Sequence, residues 1–156
     1  MANLRATVDL QTPAESAFAL LCSVEKWPLW LPFMRSAQLR TPAGTLELGT
    51  EVSVRSAIPG DEEQVFEIDR FIQNHHISLV GVYSTRRRLD FRIEAQSTRS
   101  RLHARLQYPA YGGRLGILYD QMRRARKLAA QFDEALLHFK HLVEYDRSAD
   151  ALIADF

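Results

Sequence analysis

The sequence predicts an α+β domain in which a curved antiparallel sheet surrounds a long C-terminal helix. Three observations support this prediction. Apolar and polar residues alternate in short segments between residues 4 and 10 and between 33 and 109, turn-forming residues separate these segments, and apolar residues recur every three or four positions from Leu115 to Val143. Alternation is typical of strands with one buried face, and the longer period is that of an amphipathic helix. A helix of this length needs an apolar partner, and the sheet is the large one available.

The amino-terminal part of the chain predicts one strand followed by two short helices. Residues 4–10 alternate in the strand pattern. Thr12 then offers an N-cap hydroxyl and Pro13 suits the first helical position, so a helix is expected from Pro13 to near Cys22. A second short helix is expected over residues 25–31.

Six further strands are predicted in the middle of the chain. Their separators are rich in Pro, Gly, Asn, Ser and charged residues, which favour turns. Successive strands joined by such turns form a meander of antiparallel hairpins. The predicted strands are residues 35–40, 50–58, 64–72, 77–84, 88–96 and 101–108.

The last predicted element is the long helix, which Gly112 and Gly113 precede as a hinge. Its apolar stripe ends at Val143. We therefore predict one domain over residues 1–144 and a tail over residues 145–156 that is a helical turn or disordered.

Composition and charge narrow the possible functions. The chain has 156 residues, of which 46% are apolar and 25% charged, with a net charge of +1. These values are ordinary for a globular protein and give no global argument for nucleic acid or an anionic membrane. Cys22 is the single cysteine, so an intrachain disulfide and a cysteine-rich metal site are excluded. The amino terminus lacks a continuous apolar leader segment, which predicts a cytoplasmic protein.

The order of elements and several short motifs resemble one superfamily. The motifs are Val8-Asp9-Leu10 with Pro13-Ala14-Glu15 and Phe18, the segment Val24-Glu25-Lys26-Trp27-Pro28-Leu29-Trp30-Leu31-Pro32, Leu48-Gly49-Thr50 and Gly112-Gly113. On these residues the chain is similar to the START/Bet v 1-like (SRPBCC) superfamily, particularly its bacterial polyketide cyclase/dehydrase and lipid-transport group. The resemblance implies the helix-grip fold, with seven strands around the C-terminal helix.

The resemblance also implies a cavity between sheet and helix that binds or transports a small hydrophobic ligand, lipid-like or polycyclic. Strand parity indicates which side chains face it. Trp30 is expected at the cavity mouth and Trp27 in packing. The predicted ligand-binding residues are Trp30, Phe33, Val54, Ile58, Phe66, Ile68, Tyr83, Phe91, Leu106, Tyr108, Leu118 and Met122.

An enzyme of the polyketide cyclase/dehydratase kind is the first alternative. Tyr83, Tyr108 and Arg70 are its candidate catalytic residues, because a hydroxyl and a guanidinium can polarise a substrate carbonyl. Parity places no His, Asp or Glu inward, so a general base is missing. Binding without a reaction is therefore favoured, and no cofactor is predicted.

Histidines and arginines suggest other interactions. His75 and His76 are adjacent near a turn and point in opposite directions, so solvated histidines rather than a metal site are predicted.

The segment from Arg86 to Arg114 contains eight arginines and only two acidic residues, Asp90 and Glu94, so it carries a local excess of positive charge. A module that binds a protein or a ribosome through this basic outer face is the second alternative. Nucleic acid is disfavoured because the face lacks stacking aromatics, and both a monomer and a homodimer remain open.

Overall fold

The computed structural model describes residues 2–31, 34–40, 44–56, 63–82, 87–108 and 115–154. Within these ranges, the structure describes only the backbone at positions 2, 56, 108, 115–125 and 146–154. No helix in these ranges is both long enough and apolar enough to span a membrane.

The described strands form one antiparallel sheet of seven. Strands 2 to 7 follow one another as a meander, and the amino-terminal strand closes onto the last, giving the order β1-β7-β6-β5-β4-β3-β2. The seven strands and their curled arrangement confirm the predicted fold class. The strands are β1 (Ala2–Leu10), β2 (Met34–Leu39), β3 (Glu51–Ser56), β4 (Gln64–Ile72), β5 (His76–Gly81), β6 (Arg88–Gln96) and β7 (Arg99–Tyr108).

Two short helices follow β1, as the sequence predicts. They are α1 (Ala14–Leu21) and α2 (Trp27–Trp30), with a 3₁₀ turn over Val24–Lys26 between them. The expected N-cap was wrong: Pro13 occupies the cap position, and the Thr12 hydroxyl is buried without a hydrogen-bond partner among the described residues. The Thr12 carbonyl instead accepts a hydrogen bond of 2.7 Å from the Ser100 hydroxyl at the start of β7.

The C-terminal helix, α3 (Leu115–Ala154), is longer than its apolar stripe. No break in secondary structure occurs at the predicted boundary after Glu144. Residues 145–154 contain neither Pro nor Gly, so the backbone has no reason to leave the helix there.

One apolar core lies between the concave face of the sheet and the helices. It follows from the parity of the strands, because one side of each strand carries the buried apolar residues and the other side is mostly polar. The carboxyl-terminal half of α3 is held near the end of β1 by Lys140, whose ammonium donates to the Asp9 carbonyl over 3.0 Å. The largest fully buried side chains are Trp27, Trp30, Phe18, Phe91, Phe132 and Phe139, followed by Leu10, Leu21, Leu31, Ile68, Ile77 and Leu79.

Candidate functional site

The concave face of the sheet is an apolar surface that runs across several strands. In the strand register, Leu4 lies opposite Leu106, Leu106 opposite Leu89, Leu89 opposite Leu79, and Leu79 opposite Ile68. This row crosses β1, β7, β6, β5 and β4 without a polar side chain. It forms one wall of the predicted ligand site.

Trp30 stands between this wall and the C-terminal helix. Its indole meets the Phe91 ring of β6 at 5.5 Å between centroids and the Phe139 ring of α3 at 4.9 Å, both edge-to-face. The side chain is fully buried, so the expected position at an open cavity mouth was wrong. The short helix α2 directs the indole inward rather than along the rim, and Trp30 becomes part of the interior.

The two tryptophans of α2 differ in their hydrogen bonding. The Trp27 indole N–H donates to the Leu21 carbonyl over 2.9 Å, which fits the predicted packing role. The Trp30 indole N–H is buried and has no acceptor among the described residues. A buried donor without an acceptor costs about 1–3 kcal/mol. A ligand oxygen that accepted this hydrogen bond would remove that cost.

Several predicted ligand-binding residues do share the concave face. Val54, Phe66, Ile68 and Phe91 are buried there, and Leu106 is half-buried in the same row. Their common orientation follows from strand parity, as predicted. Of the others, Phe33, Ile58 and Tyr83 lie outside the described residues, and the side chains of Tyr108, Leu118 and Met122 lie outside the description.

Arg70 is not on the concave face, so its predicted inward orientation was wrong. The register shifts between Ile68 and Arg70, where Asp69 is an extra residue in β4. Such a bulge reverses the facing of every following position. Arg70 and Ile72 are therefore exposed, and Phe71 takes the inward position, with its ring 5.5 Å from that of Phe18.

A polar pair at the edge of the concave face was missed from the sequence. Gln64 and Arg87 follow the inward parity of Phe66 and Leu89, and the Arg87 guanidinium lies 3.5 Å from the Gln64 amide oxygen. Both are half-buried. Arg87 is two residues from the inward Leu89, and this spacing could have predicted its orientation. It was missed because residues 85–87 were assigned to a turn.

The described groups give little means for acid–base chemistry in the interior. The strands that the structure describes place no Asp, Glu or His on the concave face. The half-buried Cys22 thiol is not a thiolate near neutral pH, because burial raises its pKa to about 11. A general base would have to come from outside these residues.

The prediction of solvated histidines was wrong for His76. Its side chain is 4% exposed, and its Nε2 lies 2.5 Å from a carboxylate oxygen of Asp90 on β6. The pair lies on the outer face of the sheet, where cross-strand neighbours cover it. Within the described ranges no three His, Cys, Asp or Glu side chains come together as a metal site would require.

The basic outer face is partly neutralised by ion pairs. Arg88 contacts Asp69 at 2.6 Å, and Arg101 contacts Asp9 at the same distance. The latter contact raises the pKa of Arg101 and lowers that of Asp9. The carboxylates come from β1 and β4, so the charge excess within residues 86–114 overstates the charge of the folded surface.

Comparison with known proteins identifies the family. A sequence model described as polyketide cyclase/dehydrase and lipid transport matches residues 1–144. The chain belongs to this family. No curated protein matches the sequence.

Solved structures similar to this family member support the same fold. A protein of Thermus thermophilus superposes with a TM-score of 0.73 at 13% identity, over 93% of this chain and 99% of the other. A START superfamily protein from Mycobacterium smegmatis gives 0.66 at 15% identity, over 92% and 97%. Ara h 8.0201 gives 0.60 at 11% identity, over 92% and 98%. The family supports a domain that binds a hydrophobic ligand. The solved structures support its fold.

Proposed function

We propose that this protein binds and carries a small hydrophobic ligand, lipid-like or polycyclic, between the concave face of the sheet and α3. The ligand has an apolar body and at least one oxygen that accepts a hydrogen bond. The observation that supports this proposal is the buried indole N–H of Trp30. It has no acceptor among the described residues and lies beside an otherwise apolar wall. Sites for such ligands are mostly apolar, with a few polar groups that fix orientation.

The wall supplies the affinity in this proposal. Burial of apolar surface stabilises a complex by about 25 cal/mol per Å² before the cost of association is subtracted. Leu4 and Leu106, which are only partly buried at one end of this row, still present such a surface. At the edge, Arg87 and Gln64 offer donors to a polar end of the ligand that reaches towards solvent.

The cyclase/dehydratase alternative requires proton transfer inside the site. Its remaining candidates, Tyr83 and Tyr108, have side chains outside the description, and Arg70 is exposed on the other face. Carriage of the ligand needs no such groups. The two functions differ in outcome, because a carrier returns its ligand unchanged, whereas a dehydratase removes water from it.

Native mass spectrometry of protein purified from its own host tests the proposal. We expect a bound apolar small molecule whose mass stays unchanged during prolonged incubation with the protein. Titration with 1-anilinonaphthalene-8-sulfonate, a fluorescent apolar probe, should show saturable binding that the copurified molecule displaces.

Two matched variants place the ligand. Trp30→Phe keeps an aromatic ring but removes the N–H, so affinity for the copurified molecule should fall about five- to tenfold, the value of one neutral hydrogen bond. Trp27→Phe removes an N–H that is already satisfied and should leave affinity unchanged. The proposal would be wrong if the purified protein retained no molecule and did not bind the probe. Equal affinity of wild type and Trp30→Phe would show that the Trp30 N–H is not the donor to the ligand. Loss of water from the bound molecule would favour the enzyme alternative.

A further inference from the structure

A surface groove lies on the convex face of the sheet, on the side opposite the interior. It is a groove of about 360 Å³ across β1, β7 and β6. The residues whose side chains line the groove alternate along these strands with the buried residues, so their side chains point outward. The backbone of Ala6 and Ala104 forms the floor. These side chains are Arg5, Thr7, Asp90, Arg92, His103 and Arg105.

The groove contains three guanidinium groups and one carboxylate. That carboxylate, of Asp90, is bound by the buried His76 at 2.5 Å. The neighbouring carboxylates are also engaged, since Glu94 contacts His103 at 3.1 Å and Asp9 contacts Arg101 at 2.6 Å. The hydrogen bond from His103 lowers the pKa of Glu94, so Glu94 is ionised and fixed at the groove edge.

Among the described residues, Arg92 is the one of the three arginines that forms an ion pair with a carboxylate, and that ion pair is long. In the part of the chain that the structure describes, no carboxylate lies within 4.0 Å of the Arg5 guanidinium. Arg105 contacts the neutral amide oxygen of Asn3, at 3.4 Å from Nε and 3.3 Å from Nη2. Arg92 reaches Asp90 only at 3.8 Å, and its side chain is 57% exposed.

The strand register places like charges side by side. Arg5 of β1 lies directly opposite Arg105 of β7, while Asp90 of β6 lies opposite Arg105 on its other side. Like charges in such a cross-strand pair destabilise a sheet. An anion bound between them would turn this repulsion into attraction to a common partner.

Size, charge and donor geometry indicate the class of anion. A guanidinium presents a planar fork of donors that matches phosphate oxygens, and three of them from three strands suit a group with several peripheral oxygens. The groove is larger than a phosphate group, so an organic part can be accommodated beside it. No Phe, Tyr or Trp side chain lines it among the described residues, which disfavours a stacked base.

The surroundings favour a small soluble molecule over a lipid headgroup. Asp9 and Glu94 flank the groove with side chains that are 72% and 53% exposed. An anionic bilayer would bring its charge against the Glu94 carboxylate, whereas a small ligand enters beside it; the Asp9 carboxylate is paired with Arg101.

We propose that this groove is an anion site that takes the phosphate group of a small soluble molecule, with Arg5, Arg105 and Arg92 as its ligands. It is separate from the interior ligand site and does not depend on it, because the two lie on opposite faces of the sheet.

Isothermal titration calorimetry with inorganic pyrophosphate at constant ionic strength tests the site. We expect saturable binding by wild type, weakened about tenfold or more in Arg5→Gln and in Arg105→Gln, since each loses a charge-assisted contact. Arg99→Gln removes the same charge at the start of β7, outside the groove, and should bind like wild type.

A second readout separates the site from a structural role of the arginines. Without pyrophosphate, Arg5→Gln should melt about 1–3 °C above wild type because the like-charge pair is gone. Absence of saturable binding by wild type would overturn the proposal. Equal weakening in Arg99→Gln would also overturn it, as would binding to phosphatidic acid vesicles without binding to pyrophosphate.

Discussion

The ring of Phe139 lies edge-to-face against the indole of Trp30, with 4.9 Å between their centroids. Trp30 in turn meets Phe91 at 5.5 Å. Three fully buried aromatic rings thus connect α3, α2 and the sheet. This contact is one of those that hold the C-terminal helix on the concave face.

Phe139→Ala should lower the free energy of unfolding by about 3–5 kcal/mol, since it removes a fully buried ring and its edge-to-face contact. Leu137→Ala is the matched control, because this side chain lies on the same helix and is 51% exposed. Its effect should stay within about 0.5 kcal/mol. Urea unfolding followed by circular dichroism measures both, and similar losses in the two variants would contradict the packing described for Phe139.

The bulge in β4 makes a paired prediction at adjacent positions. Arg70→Ala should change the free energy of unfolding by less than about 0.5 kcal/mol, because the side chain is exposed. Phe71→Ala should cost about 2 kcal/mol or more, because its ring packs on Phe18. Parity without the bulge predicts the reverse order, so urea unfolding of the two variants decides which residue faces inward.

The buried pair of His76 and Asp90 should show strong coupling. His76→Leu leaves the Asp90 carboxylate with only its long contact to Arg92, and Asp90→Leu removes the carboxylate that His76 contacts in a site with little solvent. Each variant should cost about 2–3 kcal/mol. The double variant should cost less than the sum of the two by at least about 1 kcal/mol. Additive losses in a double-mutant cycle would mean that the two side chains stabilise the sheet independently.

Glu144 should contribute stability that depends on pH. Burial raises its pKa, but hydrogen bonds from Lys140 and from the Gln11 N–H outweigh this effect, and the pKa lies below its ordinary value of 4.5. In the unfolded chain the group therefore binds its proton at higher pH than in the folded chain. Its contribution is full above about pH 4.5 and is lost as the pH falls through the lower folded value.

Glu144→Gln tests this contribution. At pH 7 the variant should be less stable by about 1 kcal/mol, and the difference from wild type should disappear in acid. Glu134→Gln is the control, because its contact with His138 is long, at 3.8 Å, and exposed. Its effect at pH 7 should stay within about 0.5 kcal/mol. A Glu144→Gln difference that persists unchanged in acid would contradict the assignment.

Much of the fold follows from local periodicity. The alternation in β4 and β6 predicts both strands with the bounds that the structure has, residues 64–72 and 88–96. The same alternation predicts that Val54, Phe66, Ile68 and Phe91 share the buried face. Periodicity is sufficient here because a strand must place every second side chain on one side.

The site is less predictable, because its chemistry depends on single exceptions to the pattern. An extra residue at Asp69 moves Arg70 to the opposite face, and no local signal distinguishes a bulge from regular alternation. The sequence neighbourhood of His76, beside a turn, predicts a solvated side chain. Its partner, Asp90, comes from the next strand and withdraws it from water.

The sequence by itself determined the seven strands, the long helix and the apolar character of the space between them, because each follows from a repeat within one segment. Only the tertiary structure decided that the Trp30 N–H is enclosed without an acceptor among the described residues and that Arg5 faces Arg105. Both facts depend on which distant segments become neighbours. Packing and strand register set those neighbours through long-range contacts that no single segment contains.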